Sequence, residues 1–486
     1  MAGGMRLLRL LLALLLLAPA VQAGDVYVVF WFDTEDHITP SSDDAALRIA
    51  EILTRRHIRG TFKLTGAKAR VLEQRGRRDV LAALRLHDIG YHTDFHSVPP
   101  APAAYLDRLS WDEGAQEFYR REAAGARDVA RILKRPLSCY GQPGNSWAPH
   151  VYPALRRMGI PVYLDSGSHV GLEHDMFWYC GLLNFYELRG KETRLALGDP
   201  AADKLQAAND EFDRIFDQLR NAPGPGSVIS IVYHPWEFVT TKAWDAVNFL
   251  HGANPPPEQW QPGEPKTKEE SERDYSTFAS YVAHIAGRPG VKFATATDLL
   301  ALYSDRARNR AFAREEVEAM ARRNTDEVSW WKSDDSRVAL SAAEVFSLVA
   351  QALEPAAKVF KAESFYGPRH RGRTTRQADL SRREIREAAA QALAAARDSG
   401  CLPAEVWTGS ESLSPEDFLS AAAHALADPS LEKIPVRAAK FLPYRHASPD
   451  SEKLWGWIIH PAGMRAPNNM ELAALQTWTI KPALMK

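Results

Sequence analysis

From Asp25 to about Tyr303 the chain alternates short β-rich runs with helix-patterned segments, and no linker interrupts them. An unbroken alternation of that length points to a single (β/α) barrel, because two separate open sheets would need a visible break. The run Asp25 to Phe32 is a buried strand by its β-branched and aromatic content, and Asp44 to Arg56 follows with apolar residues at helical spacing. Gly60 to Leu64 predicts the next strand, Val71 to Leu86 a helix, and His87 to Asp94 a third strand with a polar end. Further on, the pattern predicts a helix over Pro153 to Met158, strands over Ile160 to Leu164 and Val228 to Tyr233, and a last strand-helix pair between Val291 and Tyr303. Active groups in such a barrel sit at the C-terminal ends of its strands.

Two strand ends are rich in metal-ligating side chains. The first strand runs into Asp33, Glu35, Asp36 and His37, and the third into His92 and His96. On a helical turn the four-residue spacing of the two histidines places both imidazoles on one face, able to bind one cation. Two neutral imidazoles and one carboxylate leave positions open for water and substrate, as a catalytic metal site requires. Each piece taken alone has a plainer reading: an acidic cluster after a strand caps a turn or helix, and spaced histidines occur on solvent faces. Their joint appearance after two strands of one barrel favours the metal site.

These residues carry a resemblance. Asp25 to about Tyr303 resembles the polysaccharide deacetylases of carbohydrate esterase family four, whose catalytic domain is a distorted (β/α) barrel. The match rests on His92-Thr93-Asp94-Phe95-His96 after His87-Asp88-Ile89-Gly90-Tyr91, on Phe32-Asp33-Thr34-Glu35-Asp36, and on Ser230-Ile231-Val232-Tyr233-His234. The resemblance implies Asp33 as general base and His234 as general acid. It implies a divalent metal, with Zn2+ the expected ion, on His92, His96 and either Glu35 or Asp36. The substrate it implies is an N-acetylated glycan or cell-wall polymer, bound with help from Tyr140, Gln142 and Trp236. The chain departs from the family at the third motif, where an Arg before Pro normally orients the catalytic Asp; Gln142 stands before Pro143 here. The chemistry has two rivals: the same mechanism on a non-glycan amide, and a carbohydrate-binding protein without turnover.

The ends of the chain add address and attachment. Arg6 and Arg9 lead into an apolar run from Leu10 to Ala18, with small residues at Val21 and Ala23, which predicts a cleaved secretory signal peptide over 1–23. The mature chain is then expected in a periplasmic or extracellular space, with no membrane-spanning segment. Its three cysteines, Cys139, Cys180 and Cys401, permit at most one internal disulfide. With 60 basic and 61 acidic side chains there is no global attraction to nucleic acid. The expected organisation is the barrel over 24–303, a helical linker over 304–335 and a smaller, mainly helical module over 336–486. In that module Leu340 to Leu353 and Leu413 to Leu426 match at six of fourteen positions, each opening on a Ser with an acid three residues later. A capped amphipathic helix repeated at an interval of 73 residues suggests a duplication. The repeats resemble, over a short stretch, pseudomurein-binding repeats, which implies a grip on cell-wall glycan.

Overall fold

The computed structural model describes residues 24–165, 167–173, 175–185, 188, 190–198 and 203–486. The expected signal peptide lies outside them. The fold is α/β, an open barrel-like sheet wrapped by helices and followed by a smaller helical part. Nine strands are named in chain order: β1 (Asp25–Thr34), β2 (Thr61–Leu64), β3 (Asp88–Tyr91), β4 (Cys139–Tyr140), β5 (Val162–Leu164), β6 (Phe177–Tyr179), β7 (Leu182–Phe185), β8 (Gly226–Tyr233) and β9 (Val291–Phe293). The sheet runs β6-β7-β5-β4-β3-β2-β1-β8, and a terminal strand, Lys481–Pro482, pairs with β6 at the outer edge. All pairings are parallel except those of β6. β1 is the hub: β8 pairs with it from Asp25 to Phe32 on one side, while β9 and β2 divide the other.

Side-chain alternation along β1 divides the core. Val29 and Trp31 join Val162, Leu164, Leu183, Phe185 and Val228 in one cluster, on the concave face. Phe30 and Phe32 join Phe62, Leu64, Ile89 and Tyr91 in the larger cluster, beneath the helices. A period of two therefore carries the next residue after Trp31 on that face, Asp33, to the concave side where the strands end.

The second part contains the same unit twice. Strand Ala311–Ala313, helix Arg314–Arg322, hairpin Trp331–Leu340, helix Ala342–Ala352 and strand Val359–Lys361 are matched by Leu380–Ser381, Arg382–Ser399, Val406–Leu413, Pro415–Ala427 and Lys433–Ile434. An arginine at the first helical position does the same work in both copies. Arg314 donates to the carbonyls of Ala352 and Ala357, and Arg382 to those of Ala425 and Asp428, so each caps the C-terminus of its neighbour helix. Ser341 and Glu344 form the reciprocal capping box. In the second copy Ser414 Oγ accepts from Asp417 N, but the shorter Asp417 carboxylate is engaged by Thr374 and Ala439 instead.

Beyond Lys440 the chain returns to the sheet. His446 O and His169 O take part in a short antiparallel contact, with Val170 opposite Ala447. The helix Pro467–Gln476 packs Met470, Leu472, Ala473 and Leu475 into the larger barrel core. Lys481, on the terminal strand, pairs with Glu344 and Asp305, both at 2.8 Å, and ties the sheet edge to the first repeat. The three cysteines are buried free thiols. No described helix is long and apolar enough to cross a membrane.

Candidate active site

The C-terminal ends of β1, β3 and β8 converge on a cleft of about 410 Å³. Asp33, Glu35, His92, His96, Gln142, Asp165, His234, Trp236 and, from the far end of the chain, Trp457 line it. Asp33 stands at its centre. His92 Nε2 lies 3.7 Å from Asp33 Oδ1, and His234 Nε2 lies 3.7 Å from Oδ2. His92 donates from Nδ1 to Gly141 O at 3.0 Å, which fixes its tautomer and leaves a buried Nε2 without a hydrogen-bond partner, facing inward. His96 Nδ1 contacts Ser97 Oγ at 2.9 Å, and its ring centre lies 4.7 Å from that of His92.

The histidine pair is not helical. His92 to Ser97 is a turn in which Thr93 and His96 hold φ of 63° and 53°, so the imidazoles meet through backbone curvature rather than helical spacing. A β-branched residue in the left-handed region is strained, and such strain gathers at functional sites. The Thr93 hydroxyl steadies the turn by accepting from His96 N at 3.0 Å.

The two candidate carboxylates of the first loop part company. Glu35 faces the cleft; its Oε1 accepts from Trp236 Nε1 at 2.7 Å and its buried Oε2 has no partner. Asp36 turns away, and its Oδ1 caps the backbone N–H groups of Ile38 and Thr39 at 3.0 and 2.9 Å. The turn-capping reading therefore describes Asp36. Of the substrate-binding candidates, Gln142 and Trp236 line the cleft, whereas Tyr140 is fully buried with its ring against Tyr91, Phe118 and Tyr163. Tyr140 is a core residue, because β4 turns its side chain to the helix-covered face.

Electrostatics sort the groups by role. Burial lowers the pKa of His92 to about 4 and pushes that of His96 well below the ordinary value, so both are neutral ligand-type imidazoles at pH 7. Burial raises Glu35 to about 8. Burial also opposes ionisation of Asp33, but the positive charges beside it, those of Lys63 and His234, more than offset it and hold the carboxyl below its usual range. His234 is the opposite case: burial lowers its pKa, while Glu35, Glu237 and Asp33 raise it to about 10, so it carries a proton to give. His234 donates from Nδ1 to Glu237 Oε1 at 2.7 Å, and Glu237 is itself paired with Arg194. Replacing Glu237→Gln removes one of those charges. The pKa of His234 is then expected to fall by on the order of one unit, read by following its ring protons through an NMR pH titration; an unmoved midpoint would remove Glu237 from this role.

Sequence reasoning missed two residues here. Lys63, fully buried on β2, lies 2.9 Å from Asp33 Oδ1 and 3.2 Å from Asp165 Oδ2. It stands beside the only group of three His, Cys, Asp or Glu residues among the described residues whose ligand atoms lie within 4.8 Å of one another: Asp33, His92 and Asp165. The signal was legible as a lone cation inside the apolar run Thr61-Phe62-Lys63-Leu64. Trp457 had no local signal; its ring meets His96 edge-on at 5.4 Å.

No protein-family model matches the chain, and no curated protein does. Among solved structures it is similar to a candidate polysaccharide deacetylase from Mycobacterium smegmatis, at 15% identity over 57% of this chain and 90% of that one, with a TM-score of 0.37. It is similar also to a family 4 carbohydrate esterase from Streptomyces lividans in complex with acetate, at 14% identity over 56% and 92%, with a TM-score of 0.28. A third is a CE4 family pseudoenzyme from Bacillus anthracis, at 13% identity over 56% and 65%, with a TM-score of 0.27. Likenesses this distant assign no activity, and the fold described above stands on its own strand order and register.

Proposed function

We propose that the cleft is the active site of a metal-dependent hydrolase that removes N-acetyl groups from a glycan. One observation carries the reading: Asp33 stands between two imidazoles, 3.7 Å from each, and their surroundings drive His92 toward the neutral form and His234 toward the protonated one. Pairs of titratable groups driven apart by their surroundings are how one site supplies both a base and an acid.

In this reading Asp33 takes the proton of the attacking water, and His234 delivers one to the departing amine. Trp236 and Trp457 offer flat apolar faces on two sides of the cleft, suited to a sugar ring. The donor chemistry fits a divalent ion: two neutral imidazoles, a partnerless His92 Nε2 and a partnerless Glu35 Oε2 face one cleft. His92, His96 and Glu35 would hold it, although their ligand atoms do not gather within 4.8 Å as the one tight triad does. When bound, such an ion supplies Lewis acidity to a carbonyl oxygen and brings the pKa of water to about 7. The proposal extends to export by the segment 1–23 and to attachment of the catalytic part, 24–303, to cell-wall glycan through the C-terminal repeats.

A second reading, a glycan-binding protein without turnover, is favoured by the Lys63 ammonium beside the one tight triad of ligand-type residues. Acetate release from N-acetylglucosamine oligomers, measured with and without a chelator, separates the readings. Release that the chelator suppresses is expected. Binding of the oligomers without release would establish the silent binder, and neither binding nor release would move the chemistry to another amide.

A further inference from the structure

We propose that Lys63 is a positioning residue of this site, whose ammonium fixes the Asp33 carboxylate between His92 and His234. The inference deepens the hydrolase reading and rests on it. Asp33 and Lys63 are register partners on adjacent parallel strands, so both side chains leave the sheet on the same face. The ammonium lies 4.3 Å from the centre of the Trp31 ring. Two glycines leave the room it needs. A Cβ at Gly90 would lie 2.8 Å from Lys63 Cγ, and one at Gly141 would lie 2.0 Å from Nζ.

The ammonium donates to Leu164 O at 2.8 Å and to Asp165 Oδ2 at 3.2 Å, and it forms an ion pair with Asp33 Oδ1 at 2.9 Å. Asp165 and the Leu164 carbonyl anchor Lys63, and Lys63 anchors Asp33. With Oδ1 tethered, Oδ2 is left toward His234. Without the tether the short Asp33 side chain is free to change rotamer, and a displacement of about 1 Å in a reacting group costs about 100-fold in rate. The role also answers the missing arginine of the third motif. The cation beside the catalytic Asp33 comes from β2, and Gln142 instead accepts from Tyr163 Oη at 2.7 Å.

The test uses the full chain. Lys63→Met keeps the stem and removes the ammonium; Gly141→Ala keeps the charge and displaces it. Expected are a fall in kcat of about 100-fold in the first and about tenfold in the second, with KM and bound metal unchanged. A folded Lys63→Met variant that keeps kcat within about fivefold of wild type, or one that loses turnover only together with its metal, would overturn the proposal. If the wild-type chain itself releases no acetate, the hydrolase reading fails separately, and the positioning role is read from 15N spectra of lysine-labelled protein. A slowly exchanging ammonium signal that moves in Asp33→Asn supports the role; no such signal, or one indifferent to that substitution, refutes it.

Discussion

Asp33→Asn is expected to lower kcat by about 1,000-fold while the chain stays folded and keeps KM and its metal. The substitution changes no shape: an amide oxygen still faces Lys63, and the side chain still fits between His92 and His234. What it removes is the negative charge and with it the capacity to accept a proton from water. The neighbours make that charge available at neutral pH, because Lys63 and His234 hold Asp33 below its ordinary range despite its burial. The effect should fall on kcat alone, since the proton moves in the transition state and substrate binding does not depend on it. Steady-state kinetics together with a thermal melt measure it. A loss smaller than about tenfold would transfer the base role to another group, and Glu35 would be the next to test.

The arrangement of the site was legible where local sequence and geometry coincide. Asp33 was placed at the mouth of the barrel because it directly follows the buried apolar run of β1. The two histidines were found through their spacing, yet the reason was different: the turn at Thr93 joins them. The helix expected over Val71 to Leu86 is two helices, since Gly76 sits between them at a φ of 68° that a helix cannot contain. Glu35 and Asp36 could not be told apart in sequence, because a turn of two residues decides which carboxylate caps the backbone and which enters the cleft. The roles of Lys63 and Trp457 were hidden for another reason. Lys63 acquires its meaning from partners on β1 and beyond β5, and Trp457 from a return of the chain to the barrel some 360 residues after His96. Contacts of that range are set by topology, which local pattern does not encode.

The replacement His92→Ala with His96→Ala is expected to abolish metal binding and, with it, turnover. The question is which groups the ion chooses, since the tightest cluster of ligand-type residues is Asp33, His92 and Asp165. Lys63 decides it. A divalent ion about 4 Å from the ammonium would meet a repulsion on the order of 8 kcal/mol at an effective dielectric constant of about 20. No reorientation of neutral neighbours offsets that, and the same two carboxylates already have the lysine as their cation. The edge formed by His92, His96 and Glu35 holds no ammonium; the charge it faces is that of His234, which is paired with Glu237, and both imidazoles of the edge are neutral without any ion to compete with their protons. Metal analysis of four purified variants checks the assignment. The double histidine variant should hold none, Glu35→Gln should hold it weakly, and Asp36→Asn and Asp165→Asn should bind as wild type does. Loss of the ion in Asp165→Asn with retention in Glu35→Gln would place it in the triad and require Lys63 to leave it, whereas a full complement in the double histidine variant would rule out both sites, since His92 belongs to each.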